Sequence, residues 1–338
     1  MGKYVLKRIG YMIVVFFTVS FLMFSLYNLI PQDPARQELE AIKTTLKPAE
    51  YQARYEQLRK EMGLDDPIVV RYARWMGMAK DTKGKVSGLL EGDFGYSNYF
   101  KKNVSQVVSA PIKNTIFMNI FATIAALGCT IPLGIYCAVH KGGKVDNITQ
   151  VLTIVGYSIP SYIIALVFIF IFAVWLRIFP VSGMGTPGAS YTGFKWFTDR
   201  LYYLALPLIV MTFGSLGGMT RYVRAAMIDA LSMDHIKTAR AKGVHEKAVI
   251  YSHAWRNALL PVIGIVIGWF LGIFSGSVVI ENTFNINGMG SLYITALNNN
   301  DFELALGIQM FYTVVSLVGA LITDLSYGLV DPRVRIDK

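Results

Sequence analysis

Charge is scarce in this sequence. Only 16% of its 338 residues are charged, while 54% are hydrophobic. A soluble domain carries about 25% charged residues, so an ordinary soluble fold is excluded and lipid is the main solvent. Cysteine is almost missing as well. Cys129 and Cys137 lie in one apolar segment, roughly 12 Å apart along a helix, too far to bridge. A disulfide framework is therefore excluded. No C-x-x-C spacing occurs, and four scattered histidines make no metal cluster. No G-x-x-x-x-G-K-[ST] stretch is present, so the chain itself should not hydrolyse ATP. H-E-x-x-H and G-x-S-x-G are absent too, which removes two common enzyme classes. Gly183-Met184-Gly185-Thr186-Pro187-Gly188 matches G-x-G-x-x-G. It follows an apolar run instead of a strand and holds a proline, so dinucleotide binding is rejected.

What is abundant is apolar sequence of membrane-spanning length. A span needs about 20 such residues. Candidates fall at residues 9–30, 114–139, 147–176, 201–220, 258–280 and 304–323. The first follows Lys3, Lys7 and Arg8 but is too long for a signal peptide's apolar region, and no A-x-A site follows it. It reads as a retained helix. The third is too long for one straight crossing and contains Pro160, so it is one kinked helix or two short pieces. Parity favours a single crossing. Basic residues then sort by side. Segments 1–8, 140–146, 221–257 and 331–338 hold 15 Lys/Arg; loops 177–200 and 281–303 hold 3. By the positive-inside rule the first group is cytoplasmic, both termini included. That asymmetry, and not nucleic acid, explains most of the net charge of +10. The long segment 31–113 lies outside, since long segments translocate regardless of charge.

The chain is organised around residues 229–261. Ser232 is a good N-cap, and Asp234 sits in the first turn, where the helix dipole favours an anion. Met233, Ile236 and Ala239 share one face, with Lys237 and Arg240 off it. Gly243 suits a left-handed C-cap, and a second helix runs on from about Val244. A short amphipathic helix, a glycine turn and a second helix make a docking element anchored at both ends in apolar helices. A basic helix-turn-helix for DNA shares this layout but would not sit between membrane spans.

Lys237-Thr238-Ala239-Arg240-Ala241-Lys242-Gly243, followed by His253-Ala254 and Asn257-Ala258-Leu259-Leu260-Pro261, resembles the ATPase-coupling loop of ABC importer permeases. More narrowly it resembles the B-type membrane subunit of the oligopeptide/dipeptide (nickel) family. The general coupling motif opens with Glu-Ala-Ala, where this chain has Lys237-Thr238-Ala239. Further elements are similar to the same family: Pro31-Gln32-Asp33-Pro34, Gly63-Leu64-Asp65-Asp66-Pro67, Gly92-Asp93-Phe94-Gly95-Tyr96-Ser97, Ser158-Ile159-Pro160-Ser161, and Glu281 with Phe284, Gly288 and Gly290. The ending with Asp324, Tyr327 and Asp331-Pro332-Arg333 matches as well.

Several positions carry two readings. Ser158, Pro160 and Ser161 mark a packing kink or a polar pathway, because proline inside a span frees a carbonyl. Glu281 and Asp301 are solvated interfacial charges or contacts for gating or substrate. Gly264, Gly268, Gly272 and Gly276 recur every four residues, a spacing that lets helices approach closely. The partner would be a helix of this chain or of another subunit.

The expected fold is an all-α polytopic membrane protein with six transmembrane helices. The expected parts are an N-terminal transmembrane helix (1–30), an extracytoplasmic insertion (31–113) and a five-helix permease core (114–338) with a cytoplasmic coupling loop (221–257). The resemblance implies a type I importer permease in a prokaryotic cell membrane that is not itself an enzyme. It implies as partners a second homologous permease, two ATPase subunits carrying ATP and Mg, an extracytoplasmic peptide-binding protein and a peptide substrate. No cofactor and no nucleic acid are expected in this chain. A dipeptide or nickel importer of the same family is an alternative. A secondary transporter or channel subunit is another, but it would carry more ionisable residues inside its spans.

Overall fold

A computed structural model describes residues 2–31, 33–82 and 84–330; the Asp331-Pro332-Arg333 ending lies outside the described residues. The helices in chain order are α1 Gly2–Leu29, α2 Pro34–Leu39, α3 Pro48–Glu61, α4 Ile68–Met76, α5 Val104–Val139, α6 Lys144–Ser158, α7 Ser161–Phe168, α8 Gly193–Ser215, α9 Arg221–Ser232, α10 Asp234–Ala241, α11 Glu246–Ala248, α12 Arg256–Leu271, α13 Val278–Thr283, α14 Met289–Asn298 and α15 Phe302–Val330. The strands β1 Tyr96–Ser97 and β2 Lys102–Asn103 pair antiparallel.

Among the described residues, five stretches are long and apolar enough to cross a membrane: Tyr4–Leu29, Val104–Val139, Gly193–Ser232, Glu246–Phe274 and Phe302–Ser326. A sixth arises if α6 and the α7 stretch to Trp175 count as one broken span. Their bounds differ from the sequence reading, and at three ends the local cause is plain. The second helix starts at Val104, because Pro111 lies inside it without ending it. The fourth runs unbroken past residue 220 to Ser232 through a π-helical turn at Leu216–Thr220. The fifth ends at Phe274, where Ser275 turns extended (ψ 127°).

The chain folds as two compact units. One comprises Gly2–Ala110 and Tyr293–Leu317; the other comprises Pro111–Leu292 and the described residues from Val318. In the first unit α4 lies against α1. Tyr72 packs edge-on to Phe21 and Phe24 and shares a 2.7 Å hydroxyl hydrogen bond with Ser20. Asp33 caps α2 through the Ala35 N–H at 2.9 Å, an N-cap preference of its residue type. Burial pushes the Asp33 carboxyl up, but donors from Tyr55, Ala35 and Arg59 outweigh it and hold the pKa below the usual range. The turn Gly92–Ser97 is tied to the start of α15. Glu303 accepts the Tyr96 N–H at 2.8 Å, and Asp301 accepts the Ser97 hydroxyl and, at 3.2 Å, the Tyr99 N–H. Gly95 has φ +86° where its Cβ would run into Glu303. The positive φ favours glycine there, and the missing Cβ leaves room for the Glu303 carboxylate.

The second unit has two apolar clusters. One gathers Met118, Ile164, Ala165, Leu204, Leu206, Val210, Ile280 and Phe284. The other gathers Ile135, Ala138, Met219, Val223, Met227, Ala230, Ile236, Val249, Ala254, Ala258 and Val262. The second cluster is the base on which the organising stretch is built.

Candidate functional site

α9 ends at Ser232 because Met233 turns extended (ψ 146°), and α10 begins one residue later. The sequence reading made Ser232 the N-cap. Instead its hydroxyl donates back to the Asp229 carbonyl at 2.7 Å, closing the preceding helix, a local bond that serine forms readily. Met233 takes the cap position without a side-chain bond. Asp234 stands in the first turn and accepts Lys237 Nζ at 2.9 Å.

The far end of α10 closes on glycine. Gly243 has φ +74°. Its N–H reaches the Arg240 carbonyl at 3.0 Å, and the Val244 N–H reaches the Ala239 carbonyl at 3.2 Å. This is the paired-bond Schellman closure, with apolar residues at its two ends. Arg240 then grips Glu246 with two bonds of 2.7 and 3.2 Å across the turn. Hydrogen bonding to Glu246 strengthens the protonation of the Arg240 guanidinium. The Asn257 amide lies 3.1 Å from His235 Nε2, linking α10 to α12.

One side chain anchors this helix. Ile236 is fully buried among residues of α5, α9 and α12, with Ala239 and Val244 packed beside it. Lys237, Thr238, Arg240, Ala241, Lys242 and Gly243 are exposed. A one-turn apolar foot thus holds up a helix whose remaining surface is free.

The pathway candidates separate. Pro160 breaks the chain between α6 and α7, which meet at 109°; Ser158, Pro160 and Ser161 are all exposed. Glu281 is no solvated interfacial charge, for its exposure is 0%. It accepts the Thr115 hydroxyl at 2.9 Å and the Ser291 N–H at 2.8 Å, and Thr115 in turn accepts the Met289 N–H at 2.8 Å. Gly288 and Gly290 lie so close to this carboxylate that a Cβ at either would meet it. The spacing of Glu281, Gly288 and Gly290 therefore encodes a folded loop. Asn119 clamps its entry through the Ile273 and Ser275 carbonyls at 3.0 and 2.8 Å. Asp301 is likewise buried, at 2%, and tied to Ser97 and Tyr99 of its own unit.

The glycine stripe is shorter than the sequence suggested. Gly264 and Gly268 lie on α12, Gly272 begins a 3-10 turn, and Gly276 is beyond the helix. A Cβ at Gly268 or Gly272 would meet nothing within 4 Å among the described residues.

The sequence reading missed Asp146 and Arg224. Arg224 donates two bonds of 2.6 and 2.7 Å to the Asp146 carboxylate. Its available signal was an acidic residue in the first turn of a helix after a glycine pair.

The fold and its apolar helices define a multi-pass membrane protein with an exposed, glycine-capped helix set between two long apolar stretches. Residues 130–336 match the family model "Binding-protein-dependent transport system inner membrane component", and residues 1–119 match the corresponding N-terminal model. The chain belongs to this family of transport permeases. It is 33% identical to the oligopeptide transport system permease protein AppB of Bacillus subtilis, over 99% of this chain and 100% of that protein. It is 30% identical to the dipeptide transport system permease protein DppB of Escherichia coli K12 over the full length of both. It also resembles a chain of the MetNI methionine ABC transporter, at 14% identity and TM-score 0.49 over 65% of this chain and 96% of that one.

Proposed function

We propose that this chain is the membrane-spanning permease subunit of an ATP-driven importer of peptides in a prokaryotic cell membrane. Its termini and the stretch 221–257 face the cytoplasm. α10 docks in a cleft of a separate ATPase subunit, and a second permease of the same family completes the pathway with a second ATPase. An extracytoplasmic peptide-binding protein delivers cargo on the side of the insertion 31–113. The chain performs no covalent chemistry and needs no cofactor; ATP and Mg belong to the partners. The observation that carries this reading is the rigid seating of α10. Ile236 fixes it from below, the Gly243 closure fixes its end, and Lys237, Thr238, Arg240, Ala241 and Lys242 stay exposed. A helix so held transmits a push from a partner instead of yielding to it. Peptide cargo is supported by the names of full-length relatives, which include both oligopeptide and dipeptide systems. Reconstitution with the partner subunits in liposomes tests the reading. It predicts labelled peptide uptake only with ATP and the binding protein together. Uptake without ATP, driven by an ion gradient, would replace it with a secondary transporter.

A further inference from the structure

The Asp146–Arg224 pair lies off the docking helix, yet it ties α6, the first half of the broken span, to α9, which leads into α10. Arg224 projects from α9, whose Val223, Met227 and Ala230 are buried in the cluster that holds Ile236 of α10. Asp146 stands in the first turn of α6, with its side chain 2% exposed. Its carboxylate takes Arg224 Nε at 2.6 Å and Nη2 at 2.7 Å, and the Gly142 N–H at 2.9 Å. Two parallel bonds fix direction as well as distance, which a single contact does not. At its other end α6 is locked again. A Cβ at Gly217 would stand 2.8 Å from the Thr153 carbonyl, and one at Gly156 3.3 Å from the Phe213 carbonyl. α6 is therefore fastened to the continuous α8–α9 rod at both ends. Its C-terminus leads straight into the 109° break at Pro160.

We propose that Asp146 and Arg224 are positioning residues that make α6 follow α9 and α10 as one body, so that displacement of the docking helix reaches the Pro160 break. This rests on α10 docking to an ATPase, as proposed above. Without the pair, α6 keeps only its packing near Gly156 and Gly217, and its first turn no longer follows α9. ATP would still be hydrolysed, but the break at Pro160 would no longer follow. Allosteric coupling of this kind changes a linked equilibrium by about 5–150-fold.

The test uses the complete transporter in proteoliposomes, measuring peptide uptake and ATP hydrolysis on the same samples. For Asp146→Asn and Arg224→Gln, uptake per ATP should fall about tenfold, inside the range expected for coupled sites, while hydrolysis persists. The swap Asp146→Arg with Arg224→Asp should restore part of the ratio. Arg224→Lys keeps the charge but loses the paired geometry, so it should assemble and show an intermediate ratio. If these variants lose stability but keep the wild-type ratio, the pair is only a brace and the inference fails. A wild-type ratio in Arg224→Lys, should the other variants not assemble, also overturns it. If the wild-type complex shows no ATP-dependent uptake, the importer reading fails first, which separates the two outcomes.

Discussion

Two turns of this chain, at Gly243 and around Glu281, are built in opposite ways. The Gly243 turn is held by backbone. Its two closing bonds link main-chain groups, and its side-chain pair Arg240–Glu246 is about half exposed. The Glu281 loop is held by a buried carboxylate that collects donors from Thr115 and Ser291. The first presents its polar groups outward, and the second consumes them internally. A docking surface needs free polar groups on a firm backbone. A sealed loop needs every polar group satisfied, because a buried donor left alone costs about 1–3 kcal/mol.

The contrast predicts a hierarchy of effects. Glu281→Ala strands the buried Thr115 hydroxyl and the part-buried Ser291 N–H and should destabilise the protein most, by about 3 kcal/mol; Thr115→Val, which keeps shape but loses the hydroxyl, should cost less. Thermal unfolding of the detergent-purified chain measures both. Equal and negligible losses would mean that the carboxylate does not organise this loop.

Gly243→Val should come next. There is open space around its Cβ, so the cost is conformational only, about 1–3 kcal/mol for a β-branched residue at positive φ. The protein should still reach the membrane while uptake falls sharply. Normal transport by that variant would break the link between turn geometry and docking.

Gly268→Leu sharpens the comparison at a third place. With nothing near its Cβ in this chain, the isolated subunit should melt unchanged. If a second permease covers this face, the assembled complex should lose about 1–3 kcal/mol through overpacking. An unchanged melting temperature and stoichiometry of the complex would assign the face to lipid.

Arg240→Ala should have the smallest effect on stability. Exposed ion pairs contribute little and are screened by salt, so any change in melting should vanish at high ionic strength. A large, salt-independent loss would show that the turn relies on its side chains after all.

The sequence was legible where local chemistry decides the structure. Gly243 could be read as a left-handed stop because few other residues adopt that φ, and Ile236 as an anchored face because of its helical spacing. Pro160 was readable as an interruption for a similar reason. It was less informative where tertiary contacts decide. Ser232 had two carbonyl and amide choices within reach, and the preceding helix took its hydroxyl. Glu281 and Asp301 read as interfacial charges or as gating contacts because nothing local shows that Thr115 or Ser97 will meet them. Glu281 and Thr115 are 166 residues apart in sequence. The helix that runs on past residue 220 to Ser232 was not legible, because nothing local shows that Arg224 will pair with Asp146. The glycine spacing ran past the helix end because the 3-10 turn at Gly272–Phe274 leaves the four-residue repeat intact in sequence while breaking the face.

The central claim is that α10 is the part of this chain an ATPase holds. Its most direct test places one cysteine at Thr238, after replacing Cys129 and Cys137, both free thiols. Treating the assembled transporter with a short reagent that joins a thiol to an amine should give an adduct between this cysteine and a lysine of an ATPase subunit, and impermeant labels should reach the site only from the cytoplasmic side. Labelling from the outside, with no adduct to the ATPase, would contradict the account.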